Sequence, residues 1–265
     1  MHAIREPAVS GVFYESEPAR LQRTVRQYLD NARTVLTRRP EALVVPHAGL
    51  RYSGPIAAEA YHGILPWAGD IHRIILLGPS HRVALRGMAV PTTQGFRTPL
   101  GVVPIDQATC ERLHQECPAV LAHDLPHQYE HCLEVQLPFL QTVLPSFRLV
   151  PIVVGETPPE YVVQALELAA PDEETLIIVS SDLSHYHEYD AARVRDLRSA
   201  RMIESLQPKL TGEDACGCYA LNGLLAYARK QGWQAETLMV KNSGDTAGDP
   251  SRVVGYGAFA FFRTA

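Results

Sequence analysis

The chain has 265 residues, of which 46 % are hydrophobic, enough to bury the core of one large domain. Its formal net charge is -5 and no basic block stands out, so neither nucleic acid nor an anionic membrane is an expected partner. A small molecule or a protein is the expected ligand.

The start of the chain and its cysteines bear on the cellular compartment. The first residues lack the long apolar core of a signal peptide, and no apolar run approaches the roughly 18 residues of a membrane span. The five cysteines form an odd, scattered set without CxxC spacing, which argues against a disulfide framework or a structural zinc site. We therefore expect a cytoplasmic protein with reduced thiols.

Apolar periodicity and turn residues predict alternating elements in the first hundred residues. They are a loop, a helix, a strand, a helix and a strand over 5–14, 16–33, 42–45, 55–64 and 73–77. The two strands and the helix between them form a β-α-β unit, which predicts a parallel pair. Residues 88–91 and 102–105 predict a short antiparallel excursion, and the loop between them could cover a site.

The rest of the chain continues the alternation, which predicts an α/β fold in one domain over residues 1–265. Helices are expected over 106–117, 133–144, 158–169, 190–206 and 214–230, and strands over 148–154, 175–182, 236–240 and 253–262. Pro138 should shift or kink the start of its helix.

Three of the predicted strands share one design, because each is followed by a histidine. His47 follows the first, His81 the second and His185 the third. Ligands and catalytic groups collect at the carboxyl ends of strands in open α/β sheets, and neutral imidazole is a common ligand for Fe, Zn, Cu and Ni. The pattern favours one metal site, although each histidine alone could be a loop residue that bonds a backbone carbonyl. Asp182 could ligate the metal, orient a histidine, or cap a following helix.

A second polar cluster precedes the helix predicted at 133–144. It contains His123, His127, His131 and Glu134. His131 or Glu134 could point into the site from the start of that helix. A solvated loop is the alternative, particularly for His123 and His127.

Two further pairs of residues each have a functional and a structural interpretation. Asp245 and Asp249 lie in a polar, glycine-rich loop, where a carboxylate would complete a set of two histidines and one carboxylate. Ordinary turn chemistry explains these aspartates nearly as well. Cys216 and Cys218 lie where a helix starts, which favours a thiolate, but a buried and inert thiol is the commoner case.

Six motifs, in order along nearly the whole chain, resemble those of the Memo family, whose prokaryotic members are called AmmeMemoRadiSam system protein B. They are REPAVSG at 5–11, PHAG at 46–49 with YSG at 52–54, LGPSH at 77–81, EHCLEVQLPFL at 130–140, SSDLSH at 180–185 and VGYGA at 254–258. The family's fold is similar to that of class III extradiol dioxygenases, which are non-haem iron enzymes. The resemblance implies a mixed, mostly parallel central sheet with helices on both sides and a cleft lined by His47, His81 and His185.

The chain departs from the family in its late loop. Animal members place a cysteine there as a third metal ligand or reactive thiol, whereas this chain has no cysteine after Cys218. Thr246 falls nearest that position, and Asp245 beside it is the expected substitute, since the dioxygenases use a glutamate. The departure weakens any expectation of thiol-dependent copper chemistry.

The resemblance implies a metal-dependent oxidoreductase-like protein as the leading function. His47, His81 and Asp245 would bind a divalent ion, Fe(II) first and copper or zinc next, while His185 with Asp182 would serve in proton transfer. His131, Glu134, Arg51 and Thr246 are the expected substrate-binding residues.

Two other functions fit the same family. Animal relatives are described as adaptors for phosphotyrosine peptides, and here Arg51, Arg82 and Arg97 could meet an anionic ligand. The third function is metal storage or delivery. The prokaryotic family name also implies pathway association with radical-SAM and AMMECR1-like proteins.

Overall fold

The computed structural model describes residues 4–170 and 172–264. Its strands are β1 Ile4–Arg5, β2 Ala42–Val45, β3 Arg73–Pro79, β4 Met88–Val90, β5 Gly95–Thr98, β6 Gly101–Pro104, β7 Val120–Ala122, β8 Arg148–Val154, β9 Thr175–Ser180, β10 His185–His187, β11 Trp233–Asn242 and β12 Val253–Arg263. Its α-helices are α1 Pro18–Asn31, α2 Leu50–Gly63, α3 Gln107–Glu116, α4 Leu125–Gln128, α5 Leu137–Val143, α6 Pro159–Ala169, α7 Tyr189–Glu204 and α8 Cys218–Gln231. Short 3₁₀ turns occupy Leu65–Trp67, Glu134–Gln136 and Ser243–Asp245.

A nine-stranded mixed sheet forms the centre of the molecule. Its order is β10-β12-β2-β9-β3-β8-β4-β7, with β11 paired to β12. The four strands β2, β9, β3 and β8 are parallel to one another, and antiparallel pairs flank them on both sides. The predicted α/β fold with a mixed sheet is confirmed.

The central strands are buried because helices cover both faces of the sheet. All four residues of β2 are fully buried, as expected of a parallel strand covered on both sides. One helical layer contains α1, α2 and α5, which pack together, and the other contains α3, α6 and α8. Gly223 lets α8 approach α6, since a Cβ there would lie 2.3 Å from the side chain of Val162.

The order of the central strands brings distant parts of the chain to one edge. The strands β2, β9 and β3 are parallel neighbours, with Val45 paired to Ser180 and Leu77 to Val179. The loops that follow them therefore begin side by side. These loops carry residues 46–49, 80–87 and 181–184.

The structure corrects the predicted excursion over 88–105. Strand β4 belongs to the main sheet, where it pairs with β7 and β8, while β5 and β6 form a small separate sheet with β1. The antiparallel excursion is present as the pair β5–β6, and the prediction that 88–91 belongs to it is wrong. None of residues 91–105 is among the described residues that line the cavity presented below. This loop therefore does not cover that cavity.

The helix boundaries show smaller differences. Helix α2 begins at Leu50 rather than after Pro55, which lies inside it at the cost of one backbone hydrogen bond. Pro138 shifts the start of α5 as predicted, behind a 3₁₀ turn. Helix α8 begins at Cys218, four residues later than predicted.

Among the helices in residues 4–170 and 172–264, none combines the length and the apolar character needed to cross a membrane.

Candidate metal centre

The carboxyl ends of the parallel strands open into a cavity of about 1120 Å³. Its ionisable lining residues include His47, His81, His131, Asp182, His185 and Cys216. The sequence predicts the first five at one site, and Cys216 is the addition.

Three imidazoles meet in this cavity. One ring nitrogen from each of His47, His81 and His131 lies within 4.8 Å of those of the other two. The ring centres of His81 and His131 are 4.7 Å apart, and His47 lies 5.2 Å from His81 and 5.4 Å from His131. Charged imidazolium rings would repel one another at these separations, whereas neutral rings can share a cation.

His47 carries its lone pair on Nε2, which lies 3.4 Å from Cys216 Sγ, because its other ring nitrogen is committed. Ser180 Oγ donates its single hydrogen to the Cys132 carbonyl oxygen at 2.7 Å, since a carbonyl can only accept. Gln136 Nε2 donates to the same hydroxyl at 2.8 Å and to the Pro46 carbonyl at 2.9 Å. The 3.0 Å contact between His47 Nδ1 and Ser180 Oγ therefore places a proton on Nδ1 and leaves the lone pair on Nε2.

Glu130 orients the second imidazole. Its Oε1 accepts from His81 Nδ1 at 2.8 Å, and its Oε2 accepts from the His81 backbone N–H at 2.6 Å. The backbone N–H groups of His131 and Cys132 also donate to Oε1 at 2.9 and 3.1 Å. The carboxylate thus fixes the proton of His81 on Nδ1, as carboxylates commonly do for metal-binding histidines.

The charge states suit a cation site. Burial and then the charge of His81 lower the pKa of His47 to about 3, and burial with the charge of His47 lowers the pKa of His131 to about 4. Burial alone would raise the pKa of Glu130, but the hydrogen bonds and charge of His81 outweigh it and lower that pKa to about 2. At neutral pH the cluster therefore contains neutral His47 and His131 rings supported by an ionised Glu130.

His131 lies beside the same carboxylate as His81. Its Nδ1 is buried and makes no hydrogen bond within the described residues, because Glu130 Oε1, 3.2 Å away, lies in poor geometry. Three converging imidazoles fit Fe, Zn, Cu or Ni, and they do not fit Mg or Ca, which prefer oxygen ligands.

Asp182 and His185 occupy a neighbouring part of the wall. Asp182 Oδ1 accepts from the His47 backbone N–H at 2.7 Å, and burial raises the pKa of this carboxyl group. The capping alternative for Asp182 is wrong, since the next element is strand β10 rather than a helix. His185 Nδ1 donates to the Leu183 carbonyl at 2.9 Å, which leaves its Nε2 as an acceptor.

Asp245 and Thr246 are not brought to the histidines. Asp245 closes a turn in which its carboxylate accepts from Tyr189 Oη at 2.6 Å and from the Asn242 backbone N–H at 3.0 Å. Thr246 Oγ1 donates to the Ser243 carbonyl at 3.2 Å. Neither residue belongs to the described cavity lining. Asp245 therefore stabilises a turn, which is the second of the two roles considered for it from the sequence.

Glu134 is fully buried and faces the N-terminal segment rather than the cavity. Its Oε2 accepts from Arg5 Nη1 and from the Ala8 backbone N–H, both at 2.7 Å. Its Oε1 accepts from the Val9 backbone N–H at 3.0 Å and from the Tyr14 hydroxyl. The predicted substrate-binding role is corrected to a positioning one, because these bonds hold the segment that forms one wall of the cavity.

Two arginines line the cavity. Arg51, which the sequence predicts, and Arg252 each stack on a tyrosine of the wall, with guanidinium-to-ring distances of 4.4 and 4.7 Å. Arg82 and Arg97, the other predicted cations, are not among the lining residues in the described chain.

A second group of potential ligands, His81, Glu130 and Cys132, is structural. Both Glu130 oxygens are used as described, and the Cys132 thiol is fully buried and donates to the Pro79 carbonyl at 3.2 Å. The thiol is thus closed to a cation. The five cysteines are all free in the described residues.

The sequence does not predict several residues that position the histidines. Ser180, Gln136 and Glu130 act through contacts between segments far apart in the chain. His127, expected in a solvated loop, is 2 % exposed, with Nε2 donating to the Ala89 carbonyl. A polar residue inside an otherwise apolar run, such as Gln136 in 133–140, is the signal that could have been used.

Comparison with known proteins places the chain in a family. A family model described as Memo-like protein matches residues 5–260. A MEMO1 family protein of Sulfolobus acidocaldarius is 33 % identical over 277 residues, covering 96 % of this chain and 97 % of the relative. A MEMO1 family protein of Methanopyrus kandleri is 34 % identical over 282 residues, covering 98 % and 99 %.

A solved structure shares the fold. The crystal structure of an uncharacterized protein from Escherichia coli K12 aligns with a TM-score of 0.51 and 12 % identity, covering 83 % of this chain and 99 % of that one. The motifs of the sequence, the family match over residues 5–260 and the full-length relatives agree, and the chain belongs to the Memo family.

Proposed function

We propose that the cavity binds a divalent metal ion, Fe(II) in the first instance, and supports an oxidoreductase reaction of the extradiol dioxygenase type. The observation that carries this proposal is the convergence of His47, His81 and His131, whose ligand nitrogens lie within 4.8 Å of one another. Imidazole ligands of this kind suit redox-active first-row metals. Bound Fe(II) supplies the Lewis-acid and redox chemistry.

The proposed ligand set replaces Asp245 by His131. Asp245 already accepts two hydrogen bonds in its own turn, whereas His131 has a ring nitrogen within 4.8 Å of those of His47 and His81. Ser180 and Glu130 hold the other two rings, so little rearrangement is needed to present their Nε2 atoms.

His185 is the proposed acid and base. Its Nδ1–H is bonded to a backbone carbonyl, so its Nε2 can take a proton from a substrate hydroxyl and return it later. Asp182 positions His47 through the backbone bond at 2.7 Å and adds a buried carboxyl group to the same wall.

The cavity walls favour an aromatic substrate with an anionic group. Phe13, Tyr52, Tyr186 and Tyr256 offer ring surfaces, and Arg51 offers a charge at the wall. Guanidinium groups pair well with carboxylates and phosphates.

Oxygen uptake tests this proposal. The Fe(II)-loaded protein, prepared without oxygen, is mixed with a panel of carboxylated catechols in aerobic buffer, and an electrode records oxygen while absorbance records ring cleavage. We expect uptake with some members of the panel and a fall of about 10²- to 10⁴-fold in His185→Gln, the range that proton transfer contributes. His187→Gln, two residues along β10, is the control.

Stoichiometric metal without oxygen uptake on any catechol would contradict the oxidoreductase reaction. It would favour a binding or delivery function at the same cavity, whose volume of about 1120 Å³ slightly exceeds that of typical small-molecule sites. Tyrosine-phosphorylated peptide binding that persists in chelator would then identify an adaptor.

A further inference from the structure

Tyr186, in the wall of the cavity, has an unusual backbone conformation. Its φ is +64°, in the left-handed region that bulky side chains rarely adopt. It is the extra residue of a β-bulge, because His185 pairs with Val254 and His187 with the adjacent Val253. The side chain is 62 % exposed, so burial of the ring does not offset the backbone strain. Strain that packing does not explain is typical of residues with a functional role.

The bulge places the Tyr186 ring beside two other residues of the wall. The ring centre lies 5.7 Å from that of His185, with an angle of 70° between the ring planes. It also lies 4.7 Å from the guanidinium carbon of Arg252. All three residues line the cavity. One aromatic ring thus lies next to both a cation and the histidine proposed above as the acid and base.

The loop that carries Arg252 is fixed to the start of α7. The Tyr189 backbone N–H donates to the Pro250 carbonyl at 3.2 Å. The Arg252 backbone N–H donates to the Asp249 carbonyl at 3.3 Å, and the Asp249 carboxylate accepts from the Ser251 backbone N–H at 2.9 Å. The Arg252 guanidinium forms no ion pair with any carboxylate in residues 4–170 and 172–264, so its charge is available to a ligand.

Arg51, the other arginine of the wall, is less suited to bind a ligand. It stacks on Tyr52 at 4.4 Å, and its Nη2 also donates to the Tyr52 hydroxyl, which uses part of the guanidinium. Arg51 belongs to α2, whereas Arg252 directly precedes β12, the strand that pairs with β10 at His185. Arg252 is therefore the cation on the same side of the cavity as the proposed acid and base.

We propose that Arg252, positioned by the ring of Tyr186, binds the carboxylate of the substrate beside His185. The inference rests on the reaction proposed above and deepens it, since it assigns hydroxylated aromatic acids as the substrate class. A guanidinium binds a carboxylate through two parallel N–H donors. A guanidinium already held flat on an aromatic ring loses little freedom when it forms these bonds.

Two ligands that differ in one group test the role of Arg252 without turnover. The Fe(II)-loaded protein, kept without oxygen, is titrated in a calorimeter with protocatechuate and with catechol, which lacks the carboxylate. We expect the wild type to bind protocatechuate about tenfold or more tightly, the usual contribution of hydrogen bonds to a charged group. Arg252→Gln should lose this preference, and Arg252→Lys, which keeps the charge without the planar guanidinium, should retain part of it. Arg26→Gln, at an exposed position of α1 outside the described cavity lining, is the control and should keep it.

Tyr186→Asn separates a positioning role from a structural one. Asparagine enters the left-handed region more easily than tyrosine does, so the free energy of unfolding in urea should not fall. The preference for protocatechuate over catechol should fall about two- to fivefold, the effect of removing an exposed ring beneath a cation. A fall in stability with an unchanged preference would mean that the ring only supports the fold, which overturns its positioning role.

The outcomes distinguish this inference from the proposed reaction. Equal affinities for the two compounds in the wild type, or a preference that survives in Arg252→Gln, overturn the role of Arg252 and leave the proposed reaction standing. A preference that depends on Arg252, together with no oxygen uptake on any catechol, supports the role of Arg252 and overturns the reaction. Failure of the metal-loaded wild type to bind either compound overturns both.

Discussion

At the scale of single residues, hydrogen-bond donors and acceptors determine which imidazole nitrogen faces the cavity. Ser180 must accept from His47 Nδ1, and Glu130 must accept from His81 Nδ1, so both rings offer Nε2. A protein that used these histidines only as loop anchors would not need this arrangement on both rings.

Glu130→Gln tests the role of the carboxylate. The amide provides one acceptor and two donors, so one of the N–H groups now bonded to Glu130 would face another donor. We expect metal affinity to fall about 10- to 100-fold, the usual effect of losing a carboxylate behind a histidine ligand. Competition titration with a chromophoric chelator measures it, and Glu111→Gln, an exposed glutamate of α3, is the control. Equal affinities in wild type and Glu130→Gln would contradict the assigned role.

The sequence predicts the position of several site residues because the ends of apolar strands can be recognised from its pattern. His47 and His81 follow strands made of consecutive apolar residues, and the parallel pairing of both strands with β9 then brings them together. Glu130 and His131 come from a crossover loop whose path no local pattern fixes. Asp245 was expected at the site for its chemical type, but its own turn uses its oxygens.

At the scale of elements, the N-terminal segment is a wall of the cavity held by one buried carboxylate. Phe13 packs edge-on against His131 at 4.9 Å, and Tyr14 beside it bonds to Glu134. The sequence predicts only a loop here, since the segment's order depends on contacts more than 100 residues away in the chain.

Tyr14→Phe should loosen this segment. It removes a hydrogen bond to a buried carboxylate, and such bonds contribute about 1.5 to 3 kcal/mol. We expect the free energy of unfolding in urea to fall by about that amount, with faster proteolysis near residue 12. Tyr161→Phe, whose side chain is 38 % exposed, should change neither. Unchanged stability in Tyr14→Phe would show that Glu134 does not need this donor.

The end of β3 is held by close packing at Gly78. A Cβ at this position would lie 2.6 Å from Cys132 Sγ, which is fully buried. We expect Gly78→Ala to lower the free energy of unfolding by about 1 to 3 kcal/mol through overpacking and to weaken metal binding by shifting His81. Gly69→Ala is the control, since a Cβ there meets no atom within 4 Å. Equal effects of the two substitutions would exclude the packing explanation.

Long elements were predicted well and short ones poorly. Strands β2, β3, β8 and β9 carry enough consecutive apolar residues to be recognised, and their parallel order follows. Strands β4, β7 and β10 have three residues each, and their pairing depends on neighbours in space rather than on local pattern. The error over 88–105 has this cause.

At the scale of the whole molecule, buried neutral histidines make stability depend on pH. Burial lowers the pKa of His47 and of His127 from 6.5 to about 3. Between these values the unfolded chain binds more protons, so the free energy of unfolding falls on acidification, by up to about 1.4 kcal/mol per pH unit for each histidine. Asp182 and Asp196 oppose this trend, because burial raises their pKa and the native state then holds protons that the unfolded chain releases.

His127→Gln isolates one of these contributions outside the metal site. In chelator, its free energy of unfolding should be lower than that of the wild type at neutral pH but should fall less steeply between about pH 6 and pH 4.5. Urea unfolding at a series of pH values measures both slopes. His123→Gln, at an exposed position, should keep the wild-type slope. A slope unchanged in His127→Gln would mean that this histidine is not neutral in the native state.

Metal content tests the central claim most directly. Protein purified without oxygen and reconstituted with Fe(II), and separately with copper or zinc, is analysed by mass spectrometry as wild type and as alanine variants. We predict near-stoichiometric metal in the wild type and in Asp245→Ala, and its loss in His47→Ala, His81→Ala and His131→Ala. No metal in the wild type after reconstitution, or full metal in all three histidine variants, would contradict the account.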